Sequence, residues 1–312
     1  MNIAYRFRIY PTEEQKIFLG KTFGCCRFLY NQMLNDKIQE YEKTKEMLKN
    51  TPAMYKKEYP FLKEVDSLAL ANVQLHLEKA YKNFFRDPKI GFPKFKSKHH
   101  SRNSYTTNVV NGNILVESKR IRLPKLKWIA MKKHREPAEG LCLKSVTVSM
   151  EPSGKYFASL LYEGYSCENQ AVEPDYSTAK ILGIDYAMQG MAVFSEEVET
   201  EEAGFFRKNE KRLAREQRKL SRCVRGSHNY ELQKKKVARC HEKIRNQRRD
   251  YLHKLSRKIA DGYDAVAVED IDMKAMGQCL HFGKSVQDNG YGMFREMLDY
   301  KLVWKGKKMV KV

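Results

Sequence analysis

Residues 3–10, Ile-Ala-Tyr-Arg-Phe-Arg-Ile-Tyr, alternate bulky and basic side chains. That period of two predicts a strand with one inward face and one cationic face. Pro11 ends it. Thr12, with Gln15 three residues on, has the form of a capping box and starts a helix. This helix carries Ile17, Phe18, Leu19 and Phe23, and a second helical run holds Phe28, Leu29, Met33 and Leu34. Residues 37–49 are charged and read as a solvated helix or loop. Asp66 or Ser67 caps another helix, in which Leu70, Val73, Leu77, Tyr81 and Phe84 recur at three- and four-residue steps. Residues 12–88 are thus expected to be helical.

Residues 105–165 are strand-rich. Asn111-Gly112 predicts a hairpin turn between Val109-Val110 and Ile114-Leu115-Val116. Residues 121–126 and 128–131 give further short strands, and 143–150 with 156–162 read as a hairpin closed by Glu151 to Gly154. With strand 3–10 this block would close a small β-barrel or half-barrel. Residues 166–178 are polar, contain Pro174 and suit a linker. An apolar strand follows at 179–185. Residues 207–258 read as two helices broken at Arg225-Gly226-Ser227, with Leu213 and Leu220 on one seam. Val237, Ile244 and Tyr251 lie seven apart on another. A strand at 264–272, a glycine-rich polar loop at 277–292, a helix at 291–303 and a strand at 307–312 complete the chain.

Charge changes this picture more than composition does. The 312 residues admit two or three domains, and 42% hydrophobic content supports folded cores. Lys and Arg number 59 against 38 Asp and Glu, a net +21, which asks for a polyanionic partner. Residues 207–258 alone hold 20 basic and 5 acidic side chains. That excess favours a phosphate-lined groove over an ordinary solvated face. No apolar run approaches the roughly 20 residues of a membrane span, and residues 1–6 lack a signal-peptide core. An intracellular setting is expected. The seven cysteines include no Cys-x-x-Cys, so neither a disulfide framework nor a zinc site is expected. Cys25-Cys26 read as buried small hydrophobes.

Two strands carry candidate chemistry. Ile181 to Asp185 places a carboxylate after Gly183-Ile184, and Ala265 to Val268 runs into Glu269-Asp270. Apolar strands that each end in an acid, separated by a long basic insert, suit a ribonuclease-H-type site in which the acids converge on divalent metal. The stretch 91–107 alternates cations with rings. Phosphates attract Lys94, Lys96, Lys98 and Arg102, while unstacked bases suit flat rings such as Tyr105. Arg6 and Arg8 on the first strand, and Arg215, Arg218, Lys219, Arg222, Arg245, Arg248 and Arg249 in the helical pair, complete the expected nucleic-acid-binding set.

Three runs are distinctive: Lys211 to Ser221 (KRLAREQRKLS), His241 to Ser256 (HEKIRNQRRDYLHKLS) and Val266 to Ile271 (VAVEDI). With Phe7 to Thr12, Phe23 to Phe28, Phe95 to Lys98, Gly183 to Asp185 and Asn289 to Phe294, they resemble TnpB (OrfB), the insertion-sequence transposon protein ancestral to type V CRISPR effectors. The resemblance spans essentially the whole chain. It implies an α+β multidomain fold: a wedge β-barrel (1–11 plus 104–165), a helical recognition lobe (12–103), a linker (166–178) and a RuvC-like nuclease domain (179–312) with an inserted basic helical hairpin (207–260).

It also implies an RNA-guided DNA endonuclease that works in the prokaryotic cytoplasm near the nucleoid. Its partners would be guide RNA from the transposon end and a double-stranded DNA target. Guide pairing would read sequence while the protein reads backbone shape and a short flanking motif. Asp185 and Glu269 match the first two catalytic, Mg²⁺-binding acids. The family continues with a zinc ribbon and a third Asp, whereas this sequence stops at Val312. Asp270 and Asp272 are poor substitutes, because Asp270 faces away from Glu269 and Asp272 lies beyond the strand. The expectation is therefore an incomplete Mg²⁺ site, weak or absent cleavage, and exposed apolar surface around Leu298 and Leu302. A nuclease-dead RNA-guided repressor and a basic DNA-binding protein without RNA are the alternatives.

Overall fold

The computed structural model describes residues 2–164, 178–187, 192–198, 200, 204–271 and 290–312. The chain forms two compact units, residues 1–165 and 166–312.

In the first unit, β1 (Asn2–Tyr10) alternates as the sequence predicts, with Phe7 and Ile9 fully buried. Thr12 and Gln15 cap each other reciprocally, at 3.3 and 3.0 Å. Gln15 Nε2 also donates to the carbonyls of Leu126 and Trp128, which fixes the helix start on the sheet. The two helical runs expected after Thr12 are one helix, α1 (Glu13–Thr44). Its buried positions Leu19, Phe23, Cys26, Tyr30, Met33 and Lys37 keep helical phase straight through Gly24, so nothing breaks it. Lys37, placed by the sequence reading in a solvated stretch, is buried and donates to the Leu48 carbonyl. After α2 (Pro52–Glu58), Asp66 caps α3 (Ser67–Arg86) by accepting from the Leu68 N–H at 3.1 Å.

The strands β2 (Asn103–Asn108), β3 (Leu115–Val116), β4 (Arg120–Leu123), β5 (Lys127–Lys132), β6 (Cys142–Met150) and β7 (Tyr156–Glu163) join β1 in one antiparallel sheet. Its order is β2-β6-β7-β1-β5-β4-β3. The β6–β7 hairpin forms as expected, closed by Gly154 at φ +81°. Asn111-Gly112 does turn, with φ of 48° and 67°, but it does not close a hairpin. Its flanking strands diverge: β2 pairs with β6 and β3 pairs with β4. Asn113 holds that corner by accepting from the Val110 N–H and donating to the Asn108 carbonyl. One apolar core joins the helices to the sheet, from Phe7 through Leu29 and Leu77 to Leu160.

In the second unit, β8 (Ile181–Tyr186) pairs antiparallel with β9 (Ala192–Phe194) and parallel with β10 (Ala265–Val268). Strand β11 (Lys308–Lys311) adds parallel to β10, giving the order β11-β10-β8-β9. The basic stretch forms α4 (Phe205–Ser221) and α5 (His228–Gly262), with Ser227 capping α5. Helix α6 (Tyr291–Trp304) follows. Leu252, Leu255 and Ile259 of α5 and Phe294, Leu298 and Leu302 of α6 bury against Leu182, Ile184, Val266 and Val268. Leu298 and Leu302 are fully buried, so the expected exposure there is corrected: α5 and the sheet cover them. At Gly290 (φ +67°) an added Cβ would lie 3.1 Å from Arg248 Cδ and 3.2 Å from Leu252, so the chain enters α6 where α5 leaves no room for a side chain. The expected linker, the glycine-rich loop and Asp272 fall largely or wholly outside the described residues.

Candidate active site and nucleic-acid surface

Parallel register sets the geometry of the acids. Val268 stands opposite Ile184, so the next residues, Glu269 and Asp185, emerge side by side. The Glu269 N–H donates to the Ile184 carbonyl at 3.3 Å and extends the ladder by one bond. Both side chains are exposed. A hydrogen bond to Asp185 raises the Glu269 carboxyl above its ordinary range; burial and the Asp185 charge add to this, and the Tyr186 backbone opposes it. The same pair offers hard oxygen donors, the chemistry that suits Mg²⁺ or Mn²⁺. Among the described residues no third Asp, Glu, His or Cys completes a metal-binding group with them.

Asp270 turns away, as the strand period requires. It pairs with Arg295 at 3.0 Å and Lys311 at 3.4 Å, and its N–H donates to the Val312 carbonyl. The sequence reading did not single out Arg295 or Tyr291. Tyr291 is buried, packs edge-on to Tyr186 at 5.3 Å, and feels the charges of Glu269 and Asp185. Its place at the first turn of α6 could be read from the sequence; its closeness to the acids could not.

The helical pair displays its cations as charge patterning predicts. Arg215, Arg218, Lys219, Arg222, Arg245 and Arg249 are exposed. Arg248 is half-buried and its stem packs at Gly290. A cavity of about 280 Å³ between α4 and α5 is lined by Arg212, Lys219, Lys236, Arg239 and Lys243 with Glu216. Of these, only Lys219 belongs to the set named from sequence. The signal for the others was their spacing: Lys236, Arg239 and Lys243 share one face of α5 at three- and four-residue steps.

In the first unit Lys94, Lys98 and Arg102 are exposed. Arg6 pairs with Glu151 at 2.5 Å and lies over the Phe157 ring at 4.0 Å, while Arg8 lies 5.3 Å from the rings of Tyr10 and Phe157. Lys96 is half-buried, its Nζ 3.9 Å from the centre of the Tyr30 ring. Tyr105 corrects the sequence reading: it is 5% exposed and packs against Phe23 at 5.9 Å, so its ring is no stacking platform. Strand alternation puts it on the core face of β2, a side that the loop-like composition around it concealed.

Among the described residues no helix is long and apolar enough to cross a membrane. A family model described as "Probable transposase" (OrfB_IS605) matches residues 164–279, and one described as "Helix-turn-helix domain" matches residues 1–46. In this structure residues 2–44 hold β1 and the unbroken α1 rather than two helices and a turn. A Streptomyces pristinaespiralis protein named "Putative RNA-guided DNA endonuclease" is 31% identical over 98% of this chain and 76% of its own. The Escherichia coli (strain K12) "Putative RNA-guided DNA endonuclease InsQ" is 30% identical over 99% and 80%. A Cas12f1 chain, solved with its sgRNA and target DNA, superposes with a TM-score of 0.59 at 13% identity, covering 100% of this chain and 89% of that one. The fold is thus a Cas12f-like α+β fold. By its identity with these relatives over nearly its full length, the chain belongs to the OrfB/TnpB family of insertion-sequence transposon proteins.

Proposed function

We propose that this chain is a transposon-encoded, RNA-guided DNA-binding protein whose second unit carries a divalent-metal-dependent DNA endonuclease site. On this reading the seven-stranded sheet is the wedge, helices α1 to α3 form the recognition lobe, and the four-stranded sheet with its basic hairpin is RuvC-like. Guide RNA and double-stranded DNA are the partners. The observation that carries the proposal is the side-by-side emergence of Asp185 and Glu269 from adjacent parallel strands. The names of the two relatives as RNA-guided DNA endonucleases support it.

Asp185 and Glu269 would hold Mg²⁺, matching its preference for carboxylate oxygen. When bound, the ion would polarise the scissile phosphodiester and lower the pKa of a bound water. The protein's own part is to hold two negative charges where a phosphate must come. Without a cation they repel the substrate; the Glu269 carboxyl is raised first by its hydrogen bond with Asp185, then by desolvation and by that neighbour's charge. Arg295 and Lys311 keep Asp270 out of the pair.

The test uses the purified chain with its co-purifying RNA and a duplex matched to that RNA. With only two acids brought together among the described residues, cleavage is expected to be slow, to require Mg²⁺ and to be lost with EDTA. Asp185→Ala should lower the rate at least about 100-fold, since even outer-shell changes at metal sites cost 10–100-fold. RNA-dependent DNA binding should survive that substitution. Cleavage by Asp185→Ala at the wild-type rate would remove the site assignment. DNA binding indifferent to ribonuclease would remove the guide RNA. RNA-dependent binding by a wild-type chain that never cuts would leave a repressor-like binder.

A further inference from the structure

A cavity of about 80 Å³ opens in the first unit between α1, α3, β2 and the segment that leads into β2. Arg27 from α1, His76 from α3, Lys96 and Arg102 line it, with the hydroxyl-bearing Ser104 and Thr106. Among the described residues no carboxylate lines it. About 10–15 Å³ of such space admits one water, so this cavity has room for roughly five to eight heavy atoms. That matches one phosphate group and is too small for a nucleoside.

The protein holds this recess in shape. The Lys96 N–H donates to Asn31 Oδ1 at 2.7 Å, and Asn31 Nδ2 donates back to the Lys96 carbonyl at 2.8 Å. The Lys96 ammonium is set over the Tyr30 ring. The carboxylate paired with Arg102, Glu151 at 3.6 Å, is already bonded to Arg6 at 2.5 Å. Like charges gathered in a recess raise the free energy of the empty state, and an anion relieves it. Burial depresses the pKa of both Lys96 and His76, and the neighbouring Lys96 and Lys79 lower His76 further.

We propose that this cavity is an oxyanion site that seats one backbone phosphate of the bound RNA. The site deepens the RNA-guided reading and rests on it. Inorganic phosphate offers the same chemistry without the nucleic acid, so the two sources can be separated.

The experiment uses the full chain stripped of nucleic acid and the Arg27→Gln, His76→Gln double variant. Inorganic phosphate, followed by calorimetric titration, should bind wild type saturably and the double variant at least about tenfold more weakly, the cost of one lost charge-assisted hydrogen bond. RNA affinity measured across salt concentrations should show a log–log slope shallower by about 0.7 in the variant, the loss of one single-strand phosphate contact. Arg27→Lys should restore most of the slope, and Lys57→Gln, on an exposed turn of α2, should leave it unchanged. If the double variant melts early, Arg102→Gln, whose side chain is 65% exposed, serves in its place. An unchanged salt slope and unchanged phosphate binding in folded variants would overturn the site while leaving RNA guidance intact. A wild-type chain that takes up phosphate but no RNA would overturn the backbone assignment together with the proposed function.

Discussion

In residues 1–165 a single apolar core runs from β1 through the long helices to the last strand, and its members come from both ends of the unit. Among the described residues of 166–312 the buried apolar side chains fall into two groups. One lies under the four-stranded sheet; the other is a three-residue cluster of Leu213, Cys240 and Ile244 inside the α4–α5 hairpin. Most of the basic excess of the chain sits on that thinly cored hairpin. A surface crowded with cations has few positions left for burial, so the hairpin leans on the C-terminal half of α5, where Leu252, Leu255 and Ile259 reach the sheet. The first unit is organised to keep a shape. The second is organised to present charge, acidic at two strand ends and basic along two helices.

Breaking the sheet core should separate the units most clearly. Phe294 is fully buried between α5, α6 and the sheet. Phe294→Ala should cost about 3–5 kcal/mol. It should lower the melting transition of the second unit, read by calorimetry, with the transition of the first unit unmoved. A single transition that shifts as a whole would erase the contrast.

The hairpin should respond in function rather than stability. The combined change Arg212→Gln, Arg239→Gln, Lys243→Gln removes three cations from its cavity. The salt slope of RNA binding should become shallower by about 2 if all three meet single-strand phosphates. Each substitution should alter stability by no more than about 0.5 kcal/mol, as surface changes do. A large stability loss would mean that these cations hold the hairpin together.

A smaller effect belongs to the start of α1. Thr12→Ala removes half of a reciprocal cap and should cost the first unit about 1 kcal/mol, measured by denaturant unfolding. The Gln15 bonds to Leu126 and Trp128 remain, which limits the loss.

A further effect is a pH slope confined to the second unit. Lys301 on α6 donates to the His253 carbonyl at 2.7 Å and Ser256 Oγ at 2.6 Å. Burial, with Arg257 adding and Asp261 opposing, lowers its pKa from 10.5 to about 8. Between those values the unfolded chain binds more protons at this group than the folded one, so the contribution of Lys301 to stability rises as pH climbs from about 8 towards 10.5. Lys301→Met should flatten that rise in melting temperature against pH, and an unaltered slope would assign it to another group.

Much of this was legible in the chain. The period of two in 3–10, the capping box at Thr12, the cap at Asp66, the β6–β7 hairpin and the acids at 185 and 269 are local patterns, and local patterns are set by neighbours within a few residues. What sequence reasoning misjudged was non-local. Asn111-Gly112 has the dipeptide of a hairpin, but its flanking strands found partners elsewhere. Tyr105 has a ring suited to stacking on bases, but the pleat turned it inward. Leu298 and Leu302 were expected to lack cover, but α5 folds over them.

The sequence by itself determined where β1, α1 and α3 begin, which strands end in carboxylates, and how lopsided the charge of the helical pair is. These depend on side-chain period, capping chemistry and composition, all short-range properties. Only the tertiary structure decided that Asp185 and Glu269 stand shoulder to shoulder, that Asp270 is held aside by Arg295 and Lys311, and that Arg27, His76, Lys96 and Arg102 enclose one small recess. Each of those depends on strand register or on the meeting of elements far apart in the chain, and burying apolar surface fixes both only when the whole unit closes.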